Sequence, residues 1–189
     1  MDRSRFCITG LPRSRTAWLA ALMCAHGIET LHEYPPFFSS LEELGAWLYA
    51  GTAENPHGYV DGFSIIHHAR LLKQHFEGCP IVVIQRDPAE VRRSWATWDG
   101  AISDAAFAEV LSTVSSFCEQ MAARPNVLTV PYEDLERYDA VNRLVIHCTD
   151  RALKARTWQL FHLLKIELLK SKCQPRPGEL DSIRALAVL

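Results

Sequence analysis

The run from Phe6 to Leu22 constrains the fold of this chain more than any other segment. Phe6, Cys7 and Ile8 form a short apolar run of buried-strand type that stops at Thr9-Gly10. A helical pattern begins near Thr16, with Trp18, Leu19, Leu22 and Met23 on one face. The loop between them carries Arg13, Ser14, Arg15 and Thr16, so two cations and two hydroxyls sit at the start of a helix. Backbone N–H groups at a helix N-terminus attract anions, and neighbouring cations strengthen the effect. The segment therefore predicts a strand–loop–helix unit with a phosphate site at the turn.

The loop differs from the one that holds ATP or GTP. That loop reads G-x-x-x-x-G-K followed by Ser or Thr. Counted from Gly10, the second glycine position is Arg15, the lysine position is Thr16 and the hydroxyl position is Ala17. The lysine for the β/γ-phosphates and the hydroxyl for Mg²⁺ are both missing, which disfavours a metal-dependent kinase or NTPase.

A second cationic turn follows later. Pro80 to Gln85 is a continuous apolar run of the kind found in interior parallel strands. Arg86-Asp87-Pro88-Ala89-Glu90 follows it, with Asp87 placed to cap a helix starting at Pro88 and Glu90 placed to close a capping box. Arg86 lies at the strand's carboxyl end, and Ser94 lies two turns along the helix. Arg92 and Arg93 add local positive charge.

The run Gly10-Leu11-Pro12-Arg13-Ser14-Arg15-Thr16-Ala17-Trp18-Leu19 resembles the 5′-phosphosulfate loop of sulfotransferases, G-x-P-K/R-S-G-T-S/T-x-L. Pro12, Arg13, Ser14, Thr16 and Leu19 match; Arg15 replaces a glycine and Ala17 a hydroxyl. Arg86 and Ser94, eight residues apart, resemble the same family's 3′-phosphate motif, R-D/N-P-x-D/E-x-x-x-S. A weaker likeness is Asn126 to Leu135, which resembles the family's late strand and its Y-E-D-L turn. The resemblance implies a 3′-phosphoadenosine 5′-phosphosulfate (PAPS) co-substrate, adenosine 3′,5′-bisphosphate as product, and no metal. It places the donor on Arg13, Ser14, Arg15, Thr16, Ala17, Trp18, Arg86 and Ser94. Trp18 is equally well read as core packing. The family's late R-K-G-x-x-G clamp is missing; Arg151, Lys154 and Arg176 are candidates to replace it.

In-line sulfuryl transfer needs a base for the acceptor proton and a cation for charge on the leaving oxygen. By family position Arg13 fits the cation role, and because arginine keeps its proton the role is electrostatic. Glu33, twenty residues after Arg13, matches the catalytic glutamate of tyrosylprotein-type and some bacterial sulfotransferases. His32 is placed to position it. His67 and His68, after the apolar Phe63-Ser64-Ile65-Ile66, match the histidine of the cytosolic small-molecule enzymes. Glu33 is the preferred base on spacing and flanking residues.

Strands alternating with helices predict a three-layer α/β/α P-loop-type domain with a mostly parallel sheet. A single domain over 1–189 is expected, with a nucleotide-binding core over 1–135 and a helical part over 136–189. Ser40 and Glu43 predict a capped helix containing Leu41, Leu44 and Trp47; residues 51–58 read as a loop, and Tyr59 to Ile66 as a strand. Helices are predicted over 69–76, near 107–121, over 138–148 and over 151–171. A net charge of −2 argues against nucleic acid as partner. The six cysteines are scattered without a C-x-x-C pair, so a structural zinc is not expected. No apolar run spans a membrane, and the first strand starts too early for a signal peptide, so a cytoplasmic location is expected. The acceptor, a small molecule or peptide carrying a hydroxyl or amine, is not fixed, nor is oligomeric state. Arg15, Ala17 and the missing clamp motivate an alternative, a catalytically silent nucleotide-binding or interaction protein on the same fold. A small ATP-dependent P-loop kinase is the third reading.

Overall fold

Alternation along the strands builds the three layers. In β1 (Arg5–Gly10) Phe6 and Ile8 point to one face and Cys7 to the other. In β4 (Ile81–Gln85) Val82 and Ile84 share the face of Phe6, and Ile81 and Val83 share the face of Cys7. Such two-sided burial is the mark of an interior parallel strand. Each fully buried side chain of this size contributes about 1.5–3 kcal/mol.

The computed structural model describes residues 1–33, 38, 40–62, 74–96 and 103–163. The remaining strands are β2 (Glu29–His32), β3 (His57–Asp61) and β5 (Val127–Pro131). The sheet order is β2-β3-β1-β4-β5, and every pairing is parallel. Helices α1 (Thr16–Ala25), α5 (Tyr138–Thr149) and α6 (Ala155–Leu163) cover one face. Helices α2 (Leu41–Tyr49), α3 (Pro88–Ala96) and α4 (Asp104–Ala122) cover the other. This is the α/β/α fold of P-loop type. The chain runs outward from β1 on one side and returns to β4 on the other, so the switch point lies at β1. Ligands of open parallel sheets bind beyond the carboxyl ends of the strands at such a point.

Local chemistry sets the element ends. Ser40 accepts the Glu43 N–H at 3.2 Å and starts α2 as expected. Asp87 accepts the Ala89 N–H at 2.7 Å and starts α3 at Pro88. Glu90 does not complete a capping box: its carboxylate instead faces Arg86 at 3.7 Å and Arg93 at 3.8 Å. Gly10 is obligatory, because a Cβ there would stand 2.5 Å from the Ile84 carbonyl oxygen.

Some expected boundaries shift. β3 begins at His57, inside the predicted loop, and ends at Asp61 rather than Ile66. The helix expected from Arg151 starts at Ala155, and a 3₁₀ turn over Tyr132–Glu136 follows β5. Residues 63–73 and 164–189 lie outside the described residues, and with them His67, His68 and Arg176.

Candidate functional site

The loop between β1 and α1 lies at the switch point. Arg15 occupies the N-cap of α1 at φ 59°, left-handed, and provides no side-chain cap. This is the conformation a glycine would take without cost. Arg13 (φ 65°) is left-handed too. The uncapped N–H groups of the first turn are thus left to the loop. Ser14 is fully buried, and its hydroxyl has no hydrogen-bond partner among the described residues. A buried orphan hydroxyl costs free energy unless something fills it.

The two cationic turns meet. Arg86 donates from its guanidinium to the main-chain carbonyl of Arg13. Arg13 Nε donates to Ser94 Oγ at 3.2 Å. Arg86 also lies over the Tyr132 ring, 4.1 Å from its centroid. Arg15 lies over the same ring at 4.9 Å, donates to the Tyr132 hydroxyl at 3.1 Å, and pairs with Glu136. Three guanidinium groups therefore converge at the carboxyl ends of β1 and β4. Arg92 does not join them; it pairs with Asp104 and lies over Phe107 at 5.2 Å.

A second group of side chains borders the loop at the ends of β2 and β3. Thr16 Oγ1 lies 3.0 Å from His32 Nε2, and that nitrogen lies 3.9 Å from Glu33 Oε1. Glu33 follows β2 at φ 59°, donates its N–H to Val60 O at 3.1 Å, and leaves about a third of its side chain exposed (35%). Asp61 ends β3, is fully buried, and accepts the Tyr59 hydroxyl at 2.8 Å. Burial pushes the Tyr59 phenol far above its usual range, and the charges of Asp61 and Glu33 push the same way. Tyr59 thus stays a neutral donor to Asp61. Gly62 then passes the loop so closely that a Cβ would stand 3.3 Å from Pro12 Cα.

Not every expected residue reaches this place. The Trp18 ring packs edge-on against Trp158 at 6.0 Å and Phe161 at 6.3 Å, which is the core-packing reading. Ala17 begins α1 beside Thr16 and offers no hydroxyl. Arg151 and Lys154 sit near His26, the C-cap of α1, at the opposite end of that helix from the loop. Neither is placed to replace the late clamp. Asp61, Tyr132 and Glu136 were not singled out from the sequence as site residues. For Asp61 the signal was a carboxylate two residues after Tyr59 on one strand, hidden while the strand was read through to Ile66. Among the described residues no group of three or more His, Cys, Asp or Glu is arranged to hold a metal, and no helix is long and apolar enough to cross a membrane.

The fold and the loop together define a parallel α/β protein of P-loop type whose first strand runs into a cationic loop. No protein-family model and no curated protein matches the chain. Among solved structures, a gluconokinase from Sinorhizobium meliloti 1021 aligns over 87% of this chain and 97% of its own, at 12% identity and a TM-score of 0.46. A likeness of that size carries no information about substrate.

Proposed function

We propose that the chain is a sulfotransferase that moves a sulfuryl group from PAPS to a hydroxyl or amine of a small-molecule or peptide acceptor. The observation that carries this reading is the junction of the two cationic turns: Arg86 holds the Arg13 carbonyl, and Arg13 holds Ser94. A donor with one phosphate and one phosphosulfate on the same ribose calls for cations clustered in this way. The Ser14 hydroxyl adds a buried donor with no partner among the described residues. In the proposed reaction the acceptor oxygen or nitrogen attacks sulfur while the sulfur–oxygen bond to the 5′-phosphate breaks. Glu33 takes the acceptor proton, and Arg13 stabilises the negative charge on the departing phosphate oxygen.

A second reading, an ATP-dependent phosphotransferase, is favoured by Asp61. Its buried carboxylate ends the strand beside β1, next to the loop, where a Mg²⁺–nucleotide complex uses an acid. The missing loop lysine counts against it.

Calorimetry with adenosine 3′,5′-bisphosphate, and separately with ATP and Mg²⁺, tests the choice. Micromolar binding of the bisphosphate without metal is expected. Preference for Mg²⁺–ATP would transfer the proposal to the kinase. Transfer of labelled sulfate to a panel of hydroxyl and amine acceptors separates an enzyme from a silent binder. Glu33→Gln should lower kcat by about 10²-fold or more; unchanged turnover would move the base to His67 or His68.

A further inference from the structure

We propose that Tyr132 is a positioning residue that sets both Arg15 and Arg86 against the phosphate loop. The inference rests on the loop being an anion site, as proposed above, and holds whichever nucleotide it takes. Register explains the placement. β5 pairs with β4 so that Pro131 stands opposite Gln85, and the next residues along, Tyr132 and Arg86, leave the sheet side by side. The 3₁₀ turn that carries Tyr132 is anchored by Leu135, which is fully buried in the core. The ring is therefore fixed to the sheet, while the arginines are long side chains with many rotamers.

Each arginine uses the ring differently. Arg86 gains only the aromatic face, at 4.1 Å. Arg15 gains the face at 4.9 Å and a hydrogen bond from its Nε to the hydroxyl at 3.1 Å. A cation over an aromatic face is attracted by the ring quadrupole, so one ring holds two like charges that would otherwise repel. Arg86 in turn grips the Arg13 carbonyl, and Arg15 is itself part of the loop. The order of the loop thus depends on a residue on a different turn, 117 positions from Arg15. The arginine at position 15 is what gives the hydroxyl a role; a glycine there would leave it without that contact.

Hydrogen exchange on the full chain, with no nucleotide added, tests this directly. Tyr132→Leu should speed exchange of the Leu19 amide, which bonds the Arg15 carbonyl at 2.9 Å, about tenfold and leave those of β1 and β4 unchanged. Tyr132→Phe, which keeps the ring, should give a smaller increase at the same amide. Unchanged exchange there in both variants would overturn the proposal. If Tyr132→Leu fails to fold, Tyr132→Phe decides by the same measure. Calorimetry with adenosine 3′,5′-bisphosphate adds a coupling test. Tyr132→Leu should weaken binding about tenfold in the wild-type background and by a smaller factor in an Arg86→Ala background, where only Arg15 is left for the ring to position. Equal losses in both would show that Tyr132 does not act through Arg86, and would overturn the proposal for that arginine. Absence of any bisphosphate binding by the wild-type chain would overturn the sulfotransferase reading, and the exchange result would still decide the role of Tyr132.

Discussion

Arg86 donates a hydrogen bond to the main-chain carbonyl of Arg13, which makes one structural unit of two turns that are 73 residues apart. The contact is to a backbone atom, so it senses the position of the loop and not the identity of its side chain. It also turns a sheet register into a site: β1 and β4 pair with Gly10 opposite Ile84, which brings the ends of both strands together.

Arg86→Lys should therefore fail as a conservative change. Lysine keeps the charge but loses the planar fork that reaches the Arg13 carbonyl, Tyr132 and a phosphate together. A charge-assisted hydrogen bond contributes about 1.5–3 kcal/mol, so affinity for adenosine 3′,5′-bisphosphate should fall about 10- to 100-fold. Calorimetry on the folded variant measures it. Retention of wild-type affinity would mean that positive charge alone is needed at this position.

Arg15 is the clearest departure from a glycine loop, and its cost is measurable. The residue stands at φ 59°, where a side chain costs about 1 kcal/mol relative to glycine. Its guanidinium recovers part of this through Tyr132 and Glu136. Arg15→Ala loses those contacts and keeps the backbone cost, whereas Arg15→Gly loses the contacts and removes the cost. Urea unfolding should find Arg15→Gly more stable than Arg15→Ala by about 1 kcal/mol. Equal stabilities would mean that the loop relaxes out of the left-handed region when the arginine goes.

Features governed by neighbours in sequence were legible, and those governed by distant partners were not. The strand ending at Gly10, the cap at Asp87-Pro88 and the long helix over Asp104–Ala122 each follow from short-range spacing. The meeting of the two cationic turns follows from parallel strands with a switch at β1. Glu90 was expected on the helix N-terminus, but two arginines within reach outcompete one backbone N–H. Spacing groups Ser94 with Arg86 but gives no sign of its contact with Arg13, which the packing of α3 beside the loop makes. The β3 end at Asp61 is not legible in the sequence, because Phe63-Ser64-Ile65-Ile66 continues the apolar pattern past it. Nothing local to Arg15 points to Tyr132, since only the sheet brings them together.

Stability should fall in mild acid, and three histidines give the sign. Burial holds the imidazoles of His26, His75 and His147 below the usual value of 6.5, with Lys154 and Arg151 adding to the effect at His26. A depressed folded pKa means that the unfolded chain binds the proton more readily. The stabilisation is complete above about pH 6.5 and is lost as the pH falls towards the lowered folded values. At His26, protonation also removes the Nδ1 acceptor that faces the Lys154 N–H at 3.5 Å. Urea midpoints between pH 8 and pH 5 should stay level at first and then decline. The decline should be shallower in His26→Gln; an identical slope would remove His26 from the account.

Ser14→Ala should move stability and binding in opposite directions. The hydroxyl is fully buried without a partner among the described residues, so its removal takes away an unmet desolvation cost of about 1–3 kcal/mol. Alanine fits the space, since it is the smaller side chain. The variant should be as stable as the wild type or more so in urea. If the hydroxyl is kept for a phosphate oxygen, the same substitution should weaken adenosine 3′,5′-bisphosphate binding about tenfold, the worth of one hydrogen bond to a charged group. A purely structural serine gives the reverse pattern, with lower stability and unchanged affinity. The two measurements on one variant thus decide whether the loop is built for its own packing or for an anion.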